Sequence, residues 1–437
     1  MTARLRILLI QPAWEGLSYR RKIKVNERAI HPLSLGVVAA LSGQHDVQIV
    51  DEARENVPDS ARAFDVVGIS VNTFNAPRAY GLADRFRAEG VPVVFGGPHA
   101  ALLPDECLQH ADSIVLGDAE NSWPQVLQDI LDRMLQPRYC SPSPNGTPMP
   151  APRRDLFRRS SRHVAYCQLS RGCTNTCRFC YLQYLPHATM RLRQVGSVVD
   201  ELRSLRQEII LFVDDNVFCE RAYTKEVLQA ITPLRKRWWI QAPTNIHEDE
   251  DLIAIMAESG CYAVSVGFQT VSNLTNQNER ILQNRVEDYG ALVGRLHHYG
   301  ILVDGTFIFG FDSDDRGTFD ATAEMITQLG LDTYTFYFLT PYPGTEYFAQ
   351  FERQGRMLHR DWSKFDWDHV VVQPKQMSVE ELRDGVKNLY QRLDRSHFLQ
   401  NGVRRLALQR RNCSSLALLS FLVSTGWSYY RSPRLRD

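Results

Sequence analysis

Short apolar runs alternate with helical patterns along most of this chain, and that alternation constrains the fold more than any other feature. In the first 135 residues the runs are "LRILLIQ" (5–11), "DVQIV" (46–50), "DVVGIS" (65–70), "VPVVFG" (91–96) and "SIVLG" (113–117). Each is nearly continuously apolar and rich in Val and Ile, as strands covered on both faces must be. Helical candidates lie between them at 32–43, 76–90 and 102–111. Strand–helix alternation of this kind predicts an α/β fold with a doubly wound parallel sheet.

Ligands of such sheets sit beyond the carboxyl ends of the strands. Those ends carry small and polar residues here: Ser70 and Asn72 after the third run, Gly96, Gly97, Pro98 and His99 after the fourth, Gly117, Asp118 and Glu120 after the fifth. One such turn is ordinary turn chemistry. Three at one sheet edge point to a ligand site. No GxGxxG follows the first run, which disfavours a dinucleotide.

Residues 136–160 are proline-rich and aperiodic and read as a linker. A strand candidate at 163–170 follows, and then "SRGCTNTCRFCY", with Cys173, Cys177 and Cys180 inside eight positions. Three thiolates do not close a structural zinc site, which takes four ligands. Cys167, Cys219 and His187 are conceivable fourth ligands, but Cys167 sits inside the strand candidate and the others are remote. Iron–sulfur cubanes also usually take four cysteines. A missing ligand leaves an open metal position, where a substrate or cofactor binds.

Five more runs follow, at 208–215, 237–244, 261–270, 301–312 and 333–344, with helical stretches such as 222–237, 249–259 and 286–300 between them. Six βα units imply a partial (β/α)6 barrel with its active groups on the loops after the strands. Asp214, Asp215 and Asn216, then Gln269 and Thr270, then Gly310 and Asp312 stand at those positions. An N-cap is the plainer role for the 214–216 group. Tyr337, Tyr342 and Trp239 fall near the rim, where core packing is the plainer reading.

The Cys173-x3-Cys177-x2-Cys180 spacing, with Phe179 before the last cysteine, resembles the signature of the radical S-adenosylmethionine enzymes. The resemblance implies a [4Fe–4S] cluster on the three cysteines, with S-adenosylmethionine chelating the open iron. It implies reductive cleavage to a 5′-deoxyadenosyl radical, and an external electron donor such as flavodoxin or ferredoxin. It assigns Phe179, Asp214, Asp215, Gln269, Phe309 and Gly310 to S-adenosylmethionine. Asp-Asp stands where Gly-Gly-Glu is commonest, and Gln269 where acidic residues are frequent. The first domain, through "GGPHA" and "LGDAENSW", resembles the cobalamin-binding domain of one large subclass. That implies cobalamin contacts from Ser70, Asn72, Gly96, Gly97, Pro98, His99, Gly117, Asp118 and Glu120. There is no Asp-x-His-x-x-Gly motif, so no histidine is expected to replace the lower cobalt ligand. His99 is expected either near the corrin or in a surface turn.

The division expected is a cobalamin-binding domain over 1–135, the linker, a radical barrel over 161–372 and a helical region over 373–437. Ser378 and Glu381 stand in a capping-box arrangement at the start of that last region. The activity implied is C-methylation of an unactivated carbon in a small-molecule or natural-product intermediate. Cyclisation, ring contraction or oxidation is the alternative within the same subclass, and a cluster-based redox sensor lies outside it.

Composition agrees. A net charge of zero argues against nucleic acid as a partner, and the basic clusters at 20–22, 153–154 and 404–405 are short. Nine cysteines, an odd number, without a secretory pattern argue against a disulfide framework and for a cytoplasmic protein. The apolar stretch at 415–427 falls short of the ~20 residues that span a bilayer. It reads as a packing helix, with peripheral membrane contact as the alternative.

Overall fold

The computed structural model describes residues 4–14, 32–140, 148–158, 163–186 and 189–393. The basic clusters at 20–22 and 404–405, His187 and the apolar 415–427 stretch lie outside them. Among the described residues no helix is long and apolar enough to cross a membrane.

Six parallel strands form the first sheet: β1 (Arg6–Gln11), β2 (Asp46–Asp51), β3 (Val66–Ser70), β4 (Val93–Gly96), β5 (Ser113–Val115) and β6 (Arg138–Tyr139). Their order is β2-β1-β3-β4-β5-β6. The chain therefore reverses direction across the sheet beside β1, the switch point at which such sheets open a crevice. Period-two alternation sends Ile7, Leu9, Val66, Val94 and Val115 to one face, under α1 (Leu33–Leu41) and α5 (Ala119–Leu131). Leu8, Ile10, Val67, Ile69 and Phe95 go to the other, under α2 (Ala76–Ala88), α3 (Pro98–Leu102) and α4 (Pro104–His110).

One expectation changes here. The helix read over 102–111 is two helices, because Pro104 disfavours helical geometry at Leu103, whose φ is −127° and ψ 61°. Described residues of the 136–160 linker segment bond to both domains. β6 extends the first sheet, and the Arg153 N–H donates to the Gly36 carbonyl at 3.0 Å. Arg154 bonds Glu201 and the Tyr166 carbonyl of the second domain.

The second sheet is also all parallel: β7 (Val164–Cys167), β10 (Ile209–Phe212), β11 (Arg237–Ala242), β12 (Cys261–Gln269), β13 (Leu302–Phe309) and β14 (Thr333–Phe338). Its order, β14-β13-β12-β11-β10-β7, leaves β7 and β14 at opposite edges, the open barrel of six units. Between β7 and β10 lies a short antiparallel ribbon, β8 (Ser170–Arg171) with β9 (Arg191–Leu192), which brackets the cysteine loop. Residues 379–393 are helical, and Ser378 and Glu381 exchange both capping-box hydrogen bonds, at 2.8 and 3.1 Å. That helix buries Leu382, Val386 and Leu389 in the barrel core, and Tyr390 Oη accepts the Phe336 N–H on edge strand β14.

Candidate active site

A cavity of about 500 Å³ lies where the carboxyl ends of the two sheets meet. Ser70, Asn72, Gly96, Gly97, Pro98, Gly117, Asp118 and Glu120 all line it from the first domain. Its apolar depth runs along Leu9, Gly68, Val94 and Trp123. Gly97 has φ +103°, and a Cβ there would lie 2.8 Å from the Val71 carbonyl oxygen, so only glycine fits. At Gly96 a Cβ meets nothing within 4 Å.

His99 is not in a surface turn. It is fully buried and is not in the cavity wall. Its Nε2 lies 2.9 Å from Tyr80 Oη and its Nδ1 3.2 Å from Thr73 Oγ1. Helix α3 begins at Pro98 in the wall, and its first turn carries the next side chain back into the domain. Tyr80 Oη and Trp362 Nε1 both donate to Glu106 at 2.8 Å, and Trp362 belongs to the chain after the barrel. His99, with Nε2 3.7 Å from the carboxylate, and these two donors hold the Glu106 carboxyl down at about 2 against its partial burial.

From the opposite wall come Gln168, Arg171, Gly172, Cys173, Tyr181 and Asp215. The walls are tied by four charges. Arg171 Nη1 lies 2.6 Å from Asp118 and 3.1 Å from Glu120; Arg191 Nη1 lies 2.5 Å and 3.4 Å from the same two carboxylates. Arg171 and Arg191 are paired residues of the β8–β9 ribbon, so both guanidinium groups reach the same helix start. Burial opposes the charge on Asp118, but the two arginines outweigh it and hold its pKa below the ordinary value.

Cys177 is buried, and Cys173 and Cys180 are half-buried. Their sulfurs face N–H donors: Asn175 N at 3.4 Å and Asn216 Nδ2 at 3.6 Å from Cys173, and Gln283 Nε2 at 3.7 Å from Cys177. Burial lifts the thiol pKa of Cys177, and that of Cys180 to about 12. Thiols so buried become useful as thiolates only when metal takes the proton's place. Among the described residues no three Cys, His, Asp or Glu converge on a single-ion site. A cubane gives each thiolate its own iron and so does not ask for that convergence. Cys219 shares a hydrogen bond with Cys173, which holds its proton more tightly as Cys219 holds its own less.

The barrel strand ends divide by role. Asp214 is buried and accepts hydrogen bonds from Leu169 N, Ser170 N and Ser170 Oγ, so it braces the entry to the cysteine loop. Burial lifts its pKa to about 7 against those donors. Asp215 lines the cavity and accepts the Gly172 N–H at 2.8 Å; burial raises its pKa too. Gln269 has φ +64° at a bulge in β12. Phe309 is core, its ring stacked on Phe319 at 5.4 Å. Gly310 has φ +106° and donates its N–H to Asp314 at 2.8 Å. Phe179 packs on Phe311, with ring centres 6.1 Å apart.

Sequence reasoning missed Arg171, Arg191 and Asp314, and did not connect Asn216 or Gln283 to the sulfurs. Arg171, two residues before Cys173, was the one signal in plain view. The others come together only through the fold.

The chain matches the B12 binding domain family over residues 25–127 and the Radical SAM superfamily over residues 167–326. It is 31% identical to the bacteriochlorophyllide d C-12(1)-methyltransferase of Chlorobaculum tepidum, over 86% of this chain and 84% of that protein. This is a cobalamin-binding radical S-adenosylmethionine enzyme. The bacteriochlorophyllide d C-8(2)-methyltransferase of the same organism is 26% identical, over 79% of this chain and 82% of its own length. Among solved structures, the cobalamin-dependent S-adenosylmethionine radical enzyme OxsB shares the fold at a TM-score of 0.70 and 11% identity, over 98% of this chain and 76% of that one.

The enzyme's cofactors are cobalamin, S-adenosylmethionine and a [4Fe–4S] cluster. The residues present fit them. Gly96 and Gly97 leave the cavity wall free of side chains where a corrin would rest. The sulfurs of Cys173 and Cys177 have the N–H donors that thiolates bound to iron accept.

Proposed function

We propose that the enzyme C-methylates an unactivated carbon of a tetrapyrrole-type small molecule. The observation that carries this reading is the shared cavity: Gly96, Gly97 and Gly117 of the cobalamin wall share one space with Cys173 of the cysteine loop and Asp215 after β10. The cofactors supply a carbon-centred radical and a transferable methyl group. The chain's part is to hold both and the acceptor carbon in one geometry and to keep water out. Asp118, Glu120, Arg171 and Arg191 hold the two walls in register. Asp214 and Asp215 fix the backbone at Leu169, Ser170 and Gly172, just ahead of Cys173. The acceptor class rests on the two relatives whose names give bacteriochlorophyllide d as substrate. Glu120, Arg171 and Arg191 are spent on one another, so no general acid or base is assigned, and radical chemistry at an unactivated carbon asks for none. Cys173, Cys177 and Cys180 hold the cluster, and an external donor of the flavodoxin or ferredoxin type supplies its electron.

The test is an anaerobic reaction with trideuteromethyl-labelled S-adenosylmethionine and a chlorin acceptor. The expected result is 5′-deoxyadenosine together with a product carrying the label. Deoxyadenosine with an unlabelled, cyclised or oxidised product would replace methylation by the other radical chemistry of the subclass.

A further inference from the structure

Five aromatic side chains from separate segments meet at the mouth between the two sheets. Trp14 follows β1, Phe74 follows β3, Tyr181 follows Cys180, and Tyr342 and Trp367 follow β14. Their ring centres run in one file: Trp14 to Phe74 4.7 Å, Phe74 to Trp367 5.7 Å, Trp367 to Tyr342 6.2 Å, Tyr342 to Tyr181 4.6 Å. One end of the file is in the cavity wall, since Tyr181 lines it beside Cys173. The other end flanks Gln11 and Asn72, which also line it.

Packing alone does not account for this row. A ring kept only for burial is buried, yet Trp367 is 36% exposed and is among the exposed large apolar side chains. Its backbone is also left-handed, with φ +64°, a conformation that costs a bulky residue of order 1–3 kcal/mol and that clusters at functional sites. The surroundings impose that geometry. The Trp367 carbonyl accepts the Phe338 N–H at 2.9 Å, and the indole is hydrogen-bonded to Tyr342. A strained, half-exposed indole held at the end of a barrel strand is arranged to meet something outside the core.

We infer that the Trp14–Phe74–Trp367–Tyr342–Tyr181 row forms the acceptor platform, with the buried Tyr342 linking its two ends, against which a flat conjugated macrocycle packs with one edge toward the cavity. Successive rings are inclined by 61°, 59°, 61° and 52° and Tyr342 is buried, so a planar π-system meets the exposed Trp367 by its face and other rings of the row by their edges, both favoured aromatic geometries. Trp367 and Trp14 grip its face. Tyr181, adjacent to Cys180, sets how near its edge comes to the reacting centre. This inference rests on the tetrapyrrole reading above.

The experiment is binding of chlorophyllide a to the anaerobic holoenzyme, followed by the chlorin's red absorption band, which lies beyond the corrin and cluster bands. Trp367→Gly removes the ring and relieves the left-handed backbone, so folding is not at risk. Trp14→Ala, and Trp367→Phe as the conservative change, complete the set. Retained corrin and the cluster spectrum serve as controls. The expected result is binding weakened about 10-fold in Trp367→Gly and in Trp14→Ala, and largely restored in Trp367→Phe. If the wild type binds the chlorin and the two truncations bind it equally well, the platform is refuted while the tetrapyrrole reading stands. If the wild type binds no chlorin, the tetrapyrrole reading falls and this inference with it.

Discussion

Replacing Arg171 by alanine tests how the two domains are held together. The side chain sits 2.6 Å from Asp118 and 3.1 Å from Glu120 and is about one-quarter exposed, while Glu120 is wholly buried. Removing one partner of a buried ion pair costs about 3–5 kcal/mol, mostly from the charge left behind. Arg191 remains 2.5 Å from Asp118 and 3.4 Å from Glu120, so one negative charge rather than two is left uncompensated. That and the residual solvent contact of Arg171 bring the expected loss to about 2–3 kcal/mol. At about 2–4 °C per kcal/mol for a domain of this size, the melting midpoint falls by about 5–10 °C. The companion variant is Arg171→Ala with Asp118→Asn, which returns the network to one cation and one anion. It is expected to recover about 1.5 kcal/mol relative to the sum of the single changes. Thermal and guanidinium unfolding of the four proteins give the cycle directly. A sum additive to within about 0.5 kcal/mol would refute the reasoning, because independent surface charges behave that way.

Three further outcomes follow from the site. Cys219→Ser is expected to keep the full cluster absorbance and iron content, whereas Cys173→Ser loses them; iron loss in Cys219→Ser would make Cys219 a fourth ligand. Burial holds Asp314 up at about 7, so the native state binds its proton more tightly than the unfolded chain, and that contribution to stability is lost as pH rises from about 4 through 7. Asp314→Asn is therefore expected to gain in melting midpoint over the wild type between pH 5 and pH 8; a difference independent of pH would sink the account. At Gly344, φ is +77° and a Cβ would lie 2.3 Å from the Leu102 carbonyl oxygen in the other domain. Gly344→Ala is expected to cost about 2 kcal/mol or more and to loosen corrin retention after desalting; unchanged retention and stability would show that this contact does not set the docking.

Periodicity carried most of the fold. The apolar runs, rich in Val and Ile in the first sheet and partly aromatic at β11 and β14, located every long strand, because a strand covered on both faces has few ways to be encoded. It failed where local chemistry is short-ranged. β6 has two residues and no pattern, and Pro104 splits a helix that polarity alone reads as one. The site divides in the same way. Gly96 and Gly97, Gly117 and the three cysteines each stand in a short motif of their own and were legible. Arg171 and Arg191 were not, because their partner Asp118 lies 53 and 73 residues away along the chain and only the folded geometry pairs them. His99 shows the limit from the other side. Its neighbours Gly97 and Pro98 line the cavity, yet one turn of helix points the imidazole the opposite way.

Both sheets are wholly parallel, and they meet carboxyl edge to carboxyl edge. Every connection leaving those edges therefore starts beside the same small volume, whichever domain it belongs to. A change of acceptor can come from lengthening or trimming any one of these connections, without touching the cysteine spacing or the glycine wall. Such an architecture lets selection rewrite what is modified while the apparatus that modifies it is inherited intact.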